Sequence, residues 1–246
     1  MKRGLIMLRI RGKEINAKTL AKMIDISYVH PEGKLDDIRG LVDTCIKYDV
    51  NACCVNPNYL EYIVAELKGT DVKPDVVIDY PFGTATTPVK CAQIEEMLKK
   101  GAVLIDPVIE FGAIINGDAK KVTQEVKDCV AACQGHETRF IIEVTYLTPE
   151  EVVMACNCVA EGGGDYVKSS TGRVGGPDMK IIKLMADTLK GSNTGIKLAG
   201  TGRFWTTAVA LGCVAAGVDL IGTRAGDQII NELPLFEGIF KNIEIF

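Results

Sequence analysis

Short apolar runs and amphipathic stretches take turns along nearly the whole chain. The run Ile24-Asp25-Ile26-Ser27 reads as a strand. The segment 35–48 then carries apolar residues at Ile38, Leu41, Val42, Cys45 and Ile46, the spacing of one helix face. The alternation continues with strands at 51–55, 75–78, 102–109, 139–144, 165–168, 195–198 and 218–221. Helices are predicted between them at 59–67, 89–99, 120–133, 149–160, 177–189 and 205–216, and a last helix from about 226.

That makes eight strand–helix units, each of the length that a strand and its crossover helix need. The strands are continuously apolar rather than alternating, as in parallel sheets covered on both faces. The predicted fold class is α/β, a single (β/α)8 TIM barrel over residues 1–246. A short N-terminal extension at about 1–15 is polar and irregular or a small strand, and a short helix capped by Asn16 follows. An open doubly wound sheet is the structural alternative. It would place a phosphate loop at the first turn, and Asp25-Ile26-Ser27-Tyr28 is not one.

Composition narrows the function classes. A length of 246 residues matches one barrel of about 250. A net charge of -4 and scattered aromatics argue against a nucleic-acid partner. No run approaches the roughly 20 apolar residues of a membrane span. The apolar run at 5–8 is too short for a signal peptide, so a cytoplasmic location is expected. Nine cysteines, an odd number, speak against a disulfide framework. The only histidines are His30 and His136, so neither metal nor cofactor is expected.

The candidate chemistry lies at the C-terminal strand ends, which face one another in a barrel. Read in order they are Asp25 and Ser27, Cys54 with Asn56, Asp79, Asp106, Glu143, Lys168, Lys197 and the Gly222-Thr223-Arg224 loop. Asp106 sits in the apolar run 103–109, where a carboxylate has to be paired or functional. Asp79 and Glu143 are expected to hold the lysines, and His30 reads as a loop residue. A neutral lysine can attack a carbonyl and form a Schiff base, and a second cation close by helps to keep an amine neutral. An aspartate can then move the protons that carbon–carbon cleavage requires. Two lysines and an acid thus fit the chemistry of a class I aldolase.

Three glycine-bearing loops, each with an arginine, follow the last three strands. They are Thr171-Gly172-Arg173, Gly200-Thr201-Gly202-Arg203 and Gly222-Thr223-Arg224. Glycine lets backbone N–H groups approach an anion, and the loops after the last barrel strands are the usual phosphate site. An anionic substrate is expected there.

From about Ala21 to Gly226 the chain resembles the deoxyribose-phosphate aldolase family. Val167-Lys168-Ser169-Ser170-Thr171-Gly172 is similar to the family's Schiff-base segment, and Gly195-Ile196-Lys197-Leu198-Ala199-Gly200 to the segment with its second active-site lysine. Ile105-Asp106-Pro107-Val108-Ile109 resembles the strand with the proton-relay aspartate. The resemblance implies metal-free cleavage of 2-deoxy-D-ribose 5-phosphate to D-glyceraldehyde 3-phosphate and acetaldehyde. It implies Lys168 as nucleophile and Lys197 and Asp106 as its catalytic partners, and the segments 52–57 and 141–143 also fit; from their place at the strand ends, Asp25, Ser27, Cys54 and Glu143 are expected to support them. The phosphate end departs from the family pattern. A glycine pair is here Gly200-Thr201, and a serine pair is replaced at Arg224-Ala225.

Three alternatives stay open at this stage: a Schiff-base aldolase or lyase for another sugar or keto compound, a sugar-phosphate isomerase with Glu143 or Asp106 as base, and a binder without turnover. The partner expected is a small sugar phosphate, and a homo-oligomer is left open.

Overall fold

The computed structural model describes residues 8–200, 205–239 and 244–245. The chain begins with a hairpin of β1 (Leu8–Ile10) and β2 (Lys13–Ile15), and β11 (Glu244–Ile245) pairs parallel to β1. The extension, expected to be irregular or a small strand, thus contributes two short strands to a small sheet. Its order follows burial, because Leu8, Ile10 and Ile15 are inserted into the core. Arg11 at the hairpin turn lies 3.8 Å from Asp219, just ahead of the last barrel strand, so the hairpin sits at the N-terminal end of the barrel. Helix α1 (Ala17–Ala21) is capped by Asn16, whose side chain accepts from the Thr19 N–H.

Eight parallel strands close the barrel in the order β10-β3-β4-β5-β6-β7-β8-β9. They are β3 (Ile24–Tyr28), β4 (Ala52–Val55), β5 (Lys73–Ile78), β6 (Leu104–Pro107), β7 (Glu137–Ile141), β8 (Tyr166–Lys168), β9 (Gly195–Ala199) and β10 (Leu220–Thr223). The crossover helices are α2 (Leu35–Tyr48), α3 (Leu60–Glu66), α4 (Thr87–Lys99), α6 (Ala119–Ala132), α7 (Pro149–Gly162), α8 (Met179–Thr188) and α9 (Thr207–Ala216). A short α5 (Phe111–Ile115) precedes α6, and α10 (Gly226–Ile239) follows the last strand. The fold is the (β/α)8 TIM barrel that the alternation predicts.

The helix ends follow local chemistry. Thr148 makes a capping box with Glu151 at the start of α7, and Gly163 ends that helix at φ 84. Several strand ends differ from the predicted ones, among them those of β6, which stops at Pro107 rather than at 109, β7 and β10. β7 stops at Ile141, and Glu143 lies beyond it in the left-handed region at φ 52. β10 runs two residues further than its apolar run, because Gly222 and Thr223 pair with Asp25 and Ile26 of β3. Among the described residues no helix is long and apolar enough to cross a membrane.

Candidate active site

The barrel interior buries an ionic cluster that three strands supply with carboxylates and three with cations. Asp25 (β3), Asp75 (β5) and Asp106 (β6) face Arg139 (β7), Lys168 (β8) and Lys197 (β9), and all six are at most 5 % exposed. Lys197 is enclosed on three sides. Its Nζ lies 2.8 Å from Asp25, 3.1 Å from Asp75 and 2.8 Å from Asp106. Lys168 Nζ donates to the same Asp106 Oδ2 at 2.6 Å. Arg139 donates to Asp75 Oδ2 at 3.1 Å and lies 3.4 Å from Asp25. Asn51 donates to the other oxygen of Asp25 at 2.6 Å.

The charges set one another's ionisation. Burial alone raises the Asp106 carboxyl, but Lys168, Lys197 and Arg139 more than offset it and hold Asp106 well below the usual carboxylate range. Asp25 is lowered in the same way: burial raises it, while Lys197 and Arg139 outweigh that. Asp75 goes the other way, because burial and the Asp106 charge together exceed the pull of Lys197 and Arg139. For Lys197, burial favours the neutral amine, yet Asp106, Asp25 and Asp75 push its pKa above the ordinary lysine value. Lys197 therefore stays an ammonium. Burial pushes the Cys54 thiol up, so it is not a thiolate. Cys54, Asp75 and Asp106 bring ligand atoms within 4.8 Å of one another, but both carboxylates already hold the Lys197 ammonium.

Above this cluster opens a cavity of about 380 Å³, a size that suits a small metabolite. Its wall includes Asp25, Ser27, Cys54, Lys168, Thr171, Gly172, Arg173, Lys197, Gly200, Gly222, Thr223 and Arg224. The loops after β8, β9 and β10 thus meet at one mouth. Gly176 and Gly200 let two of them touch: a Cβ on Gly176 would come within 2.9 Å of the Gly200 Cα. Thr201, Gly202 and Arg203 lie outside the described residues.

Two expected partners of the lysines act elsewhere. Glu143 accepts from Thr171 N at 3.1 Å, from the Thr171 hydroxyl, and from Thr145 Oγ1 at 2.6 Å. It contacts neither lysine, because the strand ends before it and its left-handed backbone turns it toward the loop after β8. Thr171 Oγ1 in turn accepts from Arg173 N at 3.1 Å, so the carboxylate orders the arginine loop. Asp79 accepts from Ala85 N at 2.9 Å and lies 3.5 Å from Lys90, again away from the barrel lysines. The lysines are held instead by Asp25, Asp75 and Asp106. Asp75 and Arg139 escaped the sequence reading although the signal that marked Asp106, a charge inside an apolar strand, applies to both. Tyr80, also passed over, lines the cavity and donates to the Thr171 carbonyl at 2.7 Å.

Residues 12–221 match the sequence model described as DeoC/LacD family aldolase. The chain belongs to this aldolase family. It is 36 % identical to the deoxyribose-phosphate aldolase of Streptococcus sanguinis strain SK36, covering 86 % of this chain and 95 % of that one. It is likewise 36 % identical to the enzyme of that name from Dictyoglomus turgidum, over 89 % of this chain and 99 % of that one. The deoxyribose phosphate aldolase of Aeropyrum pernix, described as tetrameric, superposes with a TM-score of 0.81 at 25 % identity, covering 90 % of this chain and 93 % of that one. As a family aldolase the protein is a carbon–carbon lyase. In this chain the barrel strands carry the ionic cluster, and the loops at their C-terminal ends carry the cavity.

Proposed function

We propose that the enzyme cleaves 2-deoxy-D-ribose 5-phosphate to D-glyceraldehyde 3-phosphate and acetaldehyde through a Schiff base on Lys168. The observation that carries this reading is the unequal setting of the two lysines. Both line the cavity, but Lys197 is tied to three carboxylates and kept charged, whereas Lys168 touches only Asp106 among the described carboxylates. Lys168 is thus the amine that can be released to attack an aldehyde, and Lys197 is the fixed positive charge beside it.

The amine of Lys168 adds to C1 of the open-chain sugar and forms a carbinolamine. Loss of its hydroxyl as water leaves an iminium. That cation takes the place of the Lys168 ammonium next to ionised Asp106, so a charge is kept where the site is built to hold one. The C3 hydroxyl gives up its proton, the C2–C3 bond breaks, and its electron pair moves into the enamine. Glyceraldehyde 3-phosphate leaves. The enamine takes a proton at C2, water adds to C1, and acetaldehyde departs from the regenerated amine. Asp106, within 2.8 Å of both amines, exchanges protons between them, and Lys197 is the proton reserve. Arg173, Arg224 and the backbone of Thr171, Gly172, Gly200, Gly222 and Thr223 hold the phosphate, together with Thr201, Gly202 and Arg203.

The test is reductive trapping. Incubation with the sugar phosphate and borohydride, followed by digestion and mass spectrometry, is expected to place the adduct on Lys168. An adduct only on Lys197 reverses the roles, and no adduct on either lysine sinks the Schiff-base reading.

A further inference from the structure

His30 stands between Arg173 and Arg224, the two arginines of the cavity mouth among the described residues. It follows β3, while Arg173 follows β8 and Arg224 follows β10, and all three side chains line the cavity. His30 Nδ1 is 3.0 Å from Arg173 Nη1, and Nε2 is 3.1 Å from Arg224 Nη1. Glu32 Oε1 lies 3.3 Å from Nδ1, and the ring leans on Tyr28 at 5.4 Å between centroids. The backbone is anchored as well, because the His30 carbonyl accepts from Gly33 N at 3.2 Å.

The donor count at this histidine does not close. A guanidinium only donates, and a neutral imidazole offers one lone pair. If Nδ1 carries the proton and donates to Glu32, Nε2 can accept from Arg224, and Arg173 then faces an N–H. If Nε2 carries the proton, Nδ1 can accept from Arg173, and Arg224 faces an N–H. Either tautomer leaves one guanidinium set against a donor. A group rich in acceptor oxygens at this mouth resolves the conflict, since each of the three side chains can then turn a donor toward it. A terminal phosphate has three such oxygens and the charge to match two guanidiniums.

We infer that His30 is a further side-chain ligand of the substrate's phosphate, acting with Arg173 and Arg224, and that it sets the preference for phosphorylated over free sugar. The inference rests on the sugar-phosphate reading of the cavity. The imidazole stands between the two cationic forks, within 3.1 Å of each.

The two histidines of the chain make the test direct, because each is a separate reporter. His136 sits just before β7, at the opposite end of the barrel, with Nδ1 3.3 Å from the Val103 carbonyl oxygen. The imidazole resonances of the intact protein are followed by NMR during titration with inorganic phosphate. The His30 signals are expected to move while those of His136 stay, and Arg224→Ala should shift the midpoint to higher phosphate by about tenfold. His30 signals that stay put at phosphate concentrations that inhibit sugar phosphate cleavage would overturn the inference, as would a failure of phosphate to compete at all.

A second measurement reads specificity. The ratio of kcat/KM for 2-deoxyribose 5-phosphate over 2-deoxyribose should fall about tenfold or more in His30→Ala, chiefly through KM of the phosphorylated sugar. His30→Gln, which keeps a side-chain donor, should recover part of it. The His136 resonance reports that each variant is folded. An unchanged ratio in both variants rejects the role of His30. Failure of the aldolase reading looks different: wild-type protein then gives no borohydride adduct with the sugar phosphate, while the response of His30 to inorganic phosphate can still be read.

Discussion

Lys168 and Lys197 converge on a single atom, Oδ2 of Asp106, at 2.6 and 2.8 Å. Two amines on one carboxylate oxygen share its charge, so a change in either is felt by the other. Lys197 is further tied to Asp25 and Asp75, whereas Lys168, which also lines the cavity, has no other described carboxylate within salt-bridge distance.

Asp106→Asn should cost both stability and activity. Removing one member of a buried ionic group is expected to destabilise the fold by about 3–5 kcal/mol at neutral pH. Because the folded-state pKa of Asp106 is lowered, its contribution is complete above the ordinary carboxyl value near ~3.9 and fades as pH falls through the folded value. Denaturant unfolding at pH 7 and near pH 3 should therefore show the gap between wild type and variant narrowing in acid. A constant gap would contradict the lowered pKa. The loss of proton exchange should lower kcat by about 10²–10⁴-fold.

Glu143→Gln should loosen the loop that carries Arg173. The carboxylate accepts from both the amide and the hydroxyl of Thr171, and charged acceptors of this kind are worth about 1.5–3 kcal/mol each. Amide exchange at Thr171 and Arg173 should quicken, and kcat/KM for the phosphorylated sugar should fall by about tenfold or more. Unchanged exchange at both amides would show that the carboxylate does not order this segment.

Arg224→Ala tests the phosphate reading. Wild type should prefer 2-deoxyribose 5-phosphate over 2-deoxyribose by at least roughly tenfold in kcat/KM, about 1.4 kcal/mol. The variant should lose most of that preference, since remote binding energy helps to orient the bond to be cleaved. Steady-state kinetics with both sugars decide it. Equal values in wild type would mean that these loops do not read phosphate.

Lys90→Met concerns the scaffold. Lys90, fully buried in α4, donates to Glu125 Oε2 at 2.9 Å and to the Val108 carbonyl at 2.9 Å. Burial already raises the Glu125 carboxyl despite Lys90. Taking the lysine away should destabilise the fold by about 3–5 kcal/mol, and adding Glu125→Leu should recover a large part. Thermal or denaturant unfolding of the two single variants and the double variant gives the coupling, and strictly additive losses would rule the pairing out.

The strand–helix alternation and the Asn16 cap are legible along the chain because each depends on residues within a few turns of one another. Asp106, Lys168 and Lys197 stand out for a related reason: a charge in an apolar strand needs a partner, whatever that partner is. Which groups pair is another matter. Arg139 reaches Asp75 across 64 residues of chain, and Lys197 reaches it across 122. These pairs exist because the barrel closes and turns the strands' inward side chains toward one centre. Glu143 shows the reverse case, since one left-handed residue past β7 sends a carboxylate that looked like a partner for the lysines to Thr171 instead. His30 meets Arg173 and Arg224 from 143 and 194 residues away. A local pattern selects elements and marks unpaired charge, whereas partners are assigned by barrel closure and loop direction, both of which depend on contacts far apart in the chain.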